Sequence, residues 1–259
     1  MDKKQIEQLG DTLFDALTQC KTVPPLTSQH ADISIDDAYA IQQRLMQRRL
    51  AAGERVVGKK IGVTSQAVMN MLGVFQPDFG WLTDGMVYNE GEAVPMARLI
   101  QPKAEGEIAF ILKRSLKGPG VSVADVLAAT EGVMACFEIV DSRIQDWKIK
   151  IQDTVADNAS CGVLVLGGRR KSPADIDLAL AGMVLEKNGE IISTSTGAAV
   201  QGSPVNAVAW LANTLGNLGI GLKAGEVILS GSQSPLVPVK AGDSLVCSVG
   251  GLGSTSVRF

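Results

Sequence analysis

Two carboxylates with the spacing of a shared site lie in one apolar run of the chain. Residues 103–112, KAEGEIAFIL, have the composition of a β-strand, in which successive side chains point to opposite faces. Glu105 and Glu107 therefore share one face, at the point where both faces of the strand become apolar. Two like charges in such a place raise each other's pKa unless a cation compensates them.

A third acid, Glu138, lies in a second apolar run, residues 136–141, which also predicts a strand. Three carboxylates directed from two buried strands would make an all-oxygen site, the kind that Mg²⁺ or Mn²⁺ prefers. The same spacing also fits an acid pair at a sheet edge that forms structural ion pairs with Lys103 or Arg143, because structural ion pairs can have the same residue pattern as functional sites. Spacing alone leaves both interpretations open.

Three further residues could take part in chemistry. Lys60 shares a strand face with Gly58 and Gly62, which leaves space around its amine, although a surface lysine at a strand end fits as well. Asp78 lies in a Pro-Asp turn between aromatic residues, where a structural turn is the simpler interpretation. Ser160 lies in a turn of small residues that would let a ligand come close, and a turn without that role is equally compatible.

Composition excludes several classes of function. The chain has 259 residues, 20% charged and 46% hydrophobic, as expected of a globular protein with a sizeable core. A net charge of −3 without a basic block argues against nucleic acid as the main partner. The first residues have no apolar stretch, so we expect no signal peptide, and no run approaches the ~18 apolar residues of a membrane-spanning helix.

The cysteines and the single histidine narrow the chemistry further. Cys20, Cys136, Cys161 and Cys247 are scattered without Cys-x-x-Cys spacing, which predicts buried free thiols in a reducing cytoplasm. His30 is the only histidine, so a two-histidine zinc site is impossible and a Ser-His-Asp triad would have to use it. His30 lies in a polar stretch where a solvated or capping role is expected, so any metal must be held by oxygen.

The elements that position these residues predict an α+β fold. Helical periodicity indicates helices over residues 6–17 and from a Ser34–Asp37 capping box to about Gly53, whose arginines would form a solvated face. Residues 21–31 are predicted as a loop, and Ser65 begins a short predicted helix with Val68, Met69 and Leu72. Strands dominate after residue 95 without regular βα alternation, which favours a rolled sheet or sandwich. We expect a mainly helical region over 1–75 and a β-rich catalytic domain over 76–259.

Five sequence blocks, in order along nearly the whole chain, resemble the 2-oxopent-4-enoate (2-hydroxypenta-2,4-dienoate) hydratases of the fumarylacetoacetate hydrolase superfamily. These blocks are residues 58–65 (GKKIGVTS), 76–80 (QPDFG), 104–107 (AEGE), 137–143 (FEIVDSR) and 155–160 (VADNAS). The resemblance implies Mg²⁺ or Mn²⁺ on Glu105, Glu107 and Glu138, with Lys60, Asp78 and Ser160 lining the substrate pocket. It also implies a homo-oligomer with a mixed β-sheet roll or sandwich and an N-terminal helical region.

The implied reaction is hydration of 2-hydroxypenta-2,4-dienoate to 4-hydroxy-2-oxopentanoate in meta-cleavage aromatic catabolism. Lys60 would hold the carboxylate or enolate by charge, Asp78 would act as general acid/base, and Ser160 would orient substrate or water. The sequence gives no basis for individual roles of Thr64, Asp141, Arg143 or Asp157.

Related 4-oxalocrotonate decarboxylases share the acids and the lysine, but commonly carry an apolar residue at the position of Asp78. They also tend to have leucine at the position of Lys59, so both residues of this chain favour the hydratase. Hydratases that act on a longer oxo-heptenedioate share the Pro-Asp-aromatic-Gly block and remain an alternative. A non-catalytic scaffold that binds a pathway decarboxylase is a further alternative. Independently of that alternative, a complex with a 4-oxalocrotonate decarboxylase is expected, because relatives in these pathways associate in this way.

Overall fold

The computed structural model describes residues 1–65, 69–70 and 73–259. Among these, it contains the six α-helices α1 Lys3–Thr18, α2 Leu26–Gln29, α3 Ile35–Ala51, α4 Val123–Ala129, α5 Ile151–Ala156 and α6 Pro204–Asn217. The twelve strands of the same residues are β1 Val56–Gly62, β2 Asp78–Thr83, β3 Val87–Asn89, β4 Lys103–Leu112, β5 Thr130–Val140, β6 Cys161–Leu166, β7 Gly182–Lys187, β8 Glu190–Thr196, β9 Val227–Ser232, β10 Val237–Pro238, β11 Ser244–Val249 and β12 Gly253–Arg258. The predicted α+β class is confirmed.

The N-terminal helices begin as the sequence predicts. Ser34 and Asp37 form the expected capping box at the start of α3, and α1 packs against α3 through apolar side chains such as Leu13 and Ile41. Two details of the prediction are wrong. The expected loop over 21–31 contains α2, and Arg49 does not belong to a solvated face, because it is buried and bonded to Glu54.

The larger sheet provides the frame of the site. Its strands follow the order β2-β1-β9-β4-β5-β6-β3, and β10 pairs with the start of β4. The neighbours β4 and β5 run antiparallel, which sets Glu105 directly opposite Glu138. On the other side, β1 lies between β2 and β9, so the strand that carries Lys60 belongs to the same sheet.

The smaller sheet has the strand order β12-β11-β7-β8, and its strands β11 and β12 pack against β5 of the larger sheet. Its β7–β8 hairpin turns at Asn188-Gly189, and both residues have positive φ, as predicted for a type I′ turn. Gly106 of β4 faces this sheet so closely that a Cβ would lie 2.9 Å from Met183 Sδ. The acids of β4 therefore point to the opposite face, which matches the predicted alternation and the rolled, sandwich-like architecture.

Two expectations for the first 75 residues have no structural test. The short helix expected after Ser65 falls largely on residues 66–68 and 71–72, outside the described residues; within them, Met69 N donates to Ser65 O at 3.0 Å. The division of the chain at residue 75 stays a prediction, and β1 precedes that point while pairing within the large sheet. No helix among the described residues is long and apolar enough to cross a membrane.

Candidate metal centre and active site

The three glutamates of β4 and β5 converge. One carboxylate oxygen of each of Glu105, Glu107 and Glu138 lies within 4.8 Å of the others. Glu107 and Glu138 are each 1% exposed, whereas Glu105 is half-buried. Glu107 Oε2 accepts a hydrogen bond from Gly231 N at 2.9 Å, while Glu107 Oε1 and both Glu138 oxygens accept none from the described residues. Buried carboxylate oxygens without hydrogen bonds are suited to bind a cation, so this cluster can hold a divalent metal ion.

The electrostatics of the cluster also favour a bound cation. Burial, reinforced by the charge of Glu138, raises the pKa of Glu105 to about 8. Burial and the charges of Glu138 and Glu105 raise the pKa of Glu107 well above its usual value. Both shifts arise because three like charges are crowded into a dry site, and a divalent cation would remove this penalty.

Lys60 is the cation that faces the cluster. Its Nζ lies 3.2 Å from Glu138 Oε1, and the residue is 3% exposed, so the surface-lysine interpretation is wrong. Burial would lower the pKa of Lys60, but the charges of Glu138 and Asp78 outweigh it and raise this pKa. The ion-pair alternative is also corrected: among the described residues, Arg143 pairs with Asp157, and Lys103 is in no ion pair.

Asp78 lies beside Lys60 at the start of β2, in a strand and not in the predicted turn. It pairs in register with Gly62, whose missing side chain makes room for Asp78 Oδ1 and for Lys60 Nζ. The space next to Gly62 is therefore filled by the carboxylate and not left open. Asp78 is 3% exposed, and its Oδ1 has no hydrogen-bond partner among the described residues. Burial raises the pKa of Asp78, and the positive charge of Lys60 opposes that shift.

Ser160 is presented by a strained turn between α5 and β6. Asn158, Ala159 and Ser160 have φ values of 54°, 50° and 55°, a left-handed conformation that non-glycine residues rarely adopt. The Asn158 side chain holds the turn against β2, since it donates to Trp81 O at 2.9 Å and accepts from Trp81 N at 2.8 Å. Ser160 Oγ lies 3.0 Å from Thr154 Oγ1.

Arg143 fixes the other side of this turn. Its side chain is 1% exposed, pairs with the Asp157 carboxylate and donates to Cys161 O at 2.9 Å. The carboxylate of Asp141 accepts the backbone N–H groups of Ile100 and Gln101, which join the end of β5 to the loop before β4. The pair of Arg143 with Asp157, which was not predicted from the sequence, therefore holds the frame around Ser160.

A cavity of about 560 Å³ connects these groups. Lys60, Asp78, Glu105 and Ser160 line it, whereas Glu107 and Glu138 lie buried behind this wall. All six predicted site residues are thus brought to one region, and their roles remain predictions.

The sequence did not identify several lining residues, among them Lys103, Trp147, Thr154 and Ser232. Lys103 could have been predicted to line the site, because the two-residue period of a strand sets it on the same face as Glu105. No local pattern marks Trp147, which reaches the cavity from a 3₁₀ turn after β5, Gln145–Trp147.

Known proteins resemble this chain over its whole length. The sequence profile of the family described as "Fumarylacetoacetate (FAA) hydrolase C-terminal" matches residues 58–259. A 2-hydroxypent-2,4-dienoate hydratase of Pseudomonas putida is 69% identical over 221 residues, which cover 85% of this chain and 100% of that protein. A 2-hydroxyhexa-2,4-dienoate hydratase of Comamonas testosteroni is 59% identical over 260 residues, covering 100% and 98% of the two chains.

Solved structures share the fold. The 4-oxalocrotonate decarboxylase from Pseudomonas putida G7, complexed with magnesium and adipate, superimposes with a TM-score of 0.97 at 37% identity, covering 100% of this chain and 98% of that one. A fumarylpyruvate hydrolase from Pseudomonas aeruginosa, in complex with Mn²⁺ and pyruvate, has a TM-score of 0.62 at 15% identity over 77% of this chain and 87% of that one, a likeness of fold alone.

Proposed function

The chain belongs to the fumarylacetoacetate hydrolase family, and from this premise we propose that it adds water to 2-hydroxypenta-2,4-dienoate to form 4-hydroxy-2-oxopentanoate in aromatic catabolism. The observation that carries the proposal is the convergence of Glu105, Glu107 and Glu138 behind a cavity that Lys60 and Asp78 line. The two hydratase relatives, at 69% and 59% identity, support the same activity.

The three glutamates would hold a divalent ion, for which we propose Mg²⁺ or Mn²⁺. The fit rests on the donor set, because buried carboxylate oxygens without hydrogen bonds match the hard oxygen ligands that these ions prefer. The bound ion would supply Lewis-acid stabilisation of negative charge on the oxygen atoms of the substrate.

The substrate offers a carboxylate and the adjacent enol oxygen at one end and a diene at the other. In the first stage, the enol proton is lost and a proton is added at C5, which gives 2-oxopent-3-enoate. In the second stage, the oxygen of water bonds to C4, β to the carbonyl, and a proton is added at C3. The product contains the atoms of the substrate and one water.

Asp78 is suited to move these protons. Its raised pKa means that it can hold a proton closer to neutral pH than an exposed aspartate can, which is what a general acid/base requires. Its Oδ1 is free of other hydrogen bonds from the described residues, so it is available to substrate or water. Lys60, kept cationic by Glu138, would stabilise the developing enolate charge, and Ser160 would orient the water or the substrate.

Decarboxylation of 4-oxalocrotonate is the second candidate, because a decarboxylase structure superimposes on the chain with a TM-score of 0.97. Decarboxylation needs an electron sink but no activated water, so it gives no reason to bury an acid such as Asp78 in the cavity. A scaffold without catalytic activity is disfavoured for a similar reason, since crowding three carboxylates destabilises a fold that does not use them.

The test is parallel turnover of the two substrates. Freshly generated 2-hydroxypenta-2,4-dienoate is supplied with Mg²⁺ or Mn²⁺ and, separately, with EDTA, and 4-oxalocrotonate is assayed for release of CO₂. Metal-dependent formation of 4-hydroxy-2-oxopentanoate without CO₂ release is expected. Release of CO₂ as the main activity would identify a decarboxylase and overturn the proposal.

We also propose a homo-oligomer located in the cytoplasm that associates with a 4-oxalocrotonate decarboxylase. Four cysteines without disulfide bonds support a reducing compartment. Light scattering tests the oligomer, for which a monomeric mass would be contrary evidence. Co-purification with a tagged decarboxylase tests the association, and its absence at micromolar concentrations of both proteins would contradict it.

A further inference from the structure

A second lysine, Lys103, lies at the cavity and forms no ion pair with the residues that the structure describes. Lys103 begins β4, two residues before Glu105, so both side chains leave the same face of the strand. It is half-buried and lines the cavity. Within the part of the chain that the structure describes, its Nζ forms neither an ion pair nor a side-chain hydrogen bond, and its one specific contact is with an aromatic ring.

That ring is the indole of Trp147, whose centroid lies 4.2 Å from Lys103 Nζ. A cation at this distance over an indole face is attracted to it by the ring quadrupole. Trp147 is itself fixed, because its Nε1 donates to Gln101 O at 3.0 Å. The lysine therefore has a defined position at the cavity, and its N–H donors are not used by the other described residues.

The backbone under the indole is strained. Asp146 and Trp147 have φ values of 57° and 55°, and two consecutive left-handed non-glycine residues cost about 1 kcal/mol or more each. A strained conformation persists where the surrounding structure imposes it, and such positions cluster at ligand sites. The chain is thus bent at the point that brings Trp147 beneath Lys103.

A further cation at the cavity wall would favour the entry of an anion. Asp78, Glu105, Glu107 and Glu138 carry four negative charges when ionised, and Lys60 offsets one of them. A divalent ion would leave an excess of one negative charge. An anionic substrate would meet this excess when all four acids are ionised, and Lys103 offsets it at the face that it lines.

We propose that Lys103, held over Trp147, binds the C1 carboxylate of the substrate and thereby positions the 2-oxo acid or 2-hydroxydienoate end against the glutamate cluster. This inference rests on the proposed function for the identity of the anion. Lys103 lies next to Glu105 on β4, so it serves the end of the substrate that faces the carboxylates. The hydrocarbon end would lie against apolar lining residues such as Val140 and Ile149.

Binding of an unreactive analogue tests this separately from catalysis. The probe is 2-oxopentanoate, which has no double bond to hydrate, titrated calorimetrically into Mg²⁺-loaded protein. Lys103→Met should weaken binding about tenfold, as expected for loss of one charge-assisted hydrogen bond at a partly exposed site, and Lys103→Arg should retain most of it. The matched control is Lys113→Met, which removes the same charge from an exposed lysine just beyond β4 and should leave the Kd within about twofold.

A dicarboxylate probe, 2-oxoadipate, shows which end is bound. In Lys103→Met, the affinities for both probes should fall by the same factor. A loss of affinity for 2-oxoadipate alone would mean that Lys103 contacts the distal carboxylate, and this result would overturn the proposal. Unchanged affinity in Lys103→Met, or failure of the Mg²⁺-loaded parent protein to bind 2-oxopentanoate, would overturn it as well. Thermal melting of each variant confirms folding, and Lys103→Gln supplies a second neutral variant should Lys103→Met not fold.

Turnover distinguishes failure of this inference from failure of the proposed function. With the dienoate, Lys103→Met should raise KM about tenfold and leave kcat within about threefold. The reason is that the lost contact would bind the substrate and the transition state equally. If the parent protein binds 2-oxopentanoate through Lys103 but does not hydrate the dienoate, the proposed function fails and the inference stands. If the parent protein hydrates the dienoate and Lys103→Met is unchanged in KM and Kd, the inference alone fails.

Discussion

Replacement of Asp78 by asparagine isolates the proton-transfer role of this residue. Asparagine has nearly the same shape, so it should fit the space beside Gly62 without new collisions. Lys60 keeps its contact with Glu138 at 3.2 Å, and the buried ammonium is therefore not left unpaired. The fold should also tolerate the change, because burial raises the pKa of Asp78 and a neutral amide avoids the burial of a charge.

The magnitude follows from the chemistry that is lost. Positioned general acid/base groups contribute about 10²–10⁴ in rate, which corresponds to about 2.7–5.5 kcal/mol of transition-state stabilisation. We expect kcat for dienoate hydration to fall by this factor in Asp78→Asn. Affinity for Mg²⁺ and for 2-oxopentanoate should change less than about threefold, and the melting temperature should stay the same or rise.

The assay follows the loss of dienoate absorbance at saturating Mg²⁺, with binding measured calorimetrically on the same preparation. Asp36→Asn, a change of the same type on an exposed helix residue, is the matched control and should turn over normally. Near-normal turnover in Asp78→Asn would refute the assignment. A parallel loss of Mg²⁺ affinity would show instead that Asp78 supports the metal cluster.

Four further changes probe other parts of the account. Glu107→Gln should weaken Mg²⁺ binding at least about tenfold with little loss of stability, and an unchanged Kd by calorimetry would contradict the ligand assignment. Because burial raises the pKa of Glu105 to about 8 and also raises that of Glu107, metal binding should displace at least one proton, so Mg²⁺ affinity should fall at least about tenfold per pH unit from 8 to 6, and a flat titration would argue against this coupling. Arg143→Met should cost about 3–5 kcal/mol in urea unfolding, because it leaves Asp157 buried without its cation, and Arg143→Met/Asp157→Asn should recover part of this; no recovery would mean that the pair is not the cause. Gly62→Ala should abolish most turnover while the protein remains folded by circular dichroism, because the new Cβ would collide with Asp78 Oδ1, and normal kcat would show that the fit there is loose.

Local features were predictable from the sequence because the information for them lies within a few residues. The capping box of Ser34 and Asp37, the turn at Asn188 and the alternation that sets Glu105 and Glu107 on one face all depend on neighbours in the chain. Their outcomes follow from short-range hydrogen bonds and from the geometry of strands.

Features that depend on distant partners were not predictable in this way. Arg49 has the spacing of a solvated face, yet its guanidinium is buried and donates a hydrogen bond to Thr83 of β2. Asp78 has the local signature of a turn, but pairing with β1 extends it into a strand. Lys103 and Trp147 meet only because the 3₁₀ turn after β5 folds back over the start of β4. Resemblance to a known family provided the grouping of the six site residues that local reasoning left open.

The most direct test of the central claim is the fate of 2-hydroxypenta-2,4-dienoate in D₂O, followed by NMR with Mg²⁺ and with EDTA. The account predicts 4-hydroxy-2-oxopentanoate only when the metal is present, with solvent deuterium at C5 and C3 and the hydroxyl group at C4. Formation of the same product at the same rate in EDTA would contradict the metal centre built from Glu105, Glu107 and Glu138. A metal-dependent product that retains the double bond would contradict hydration itself.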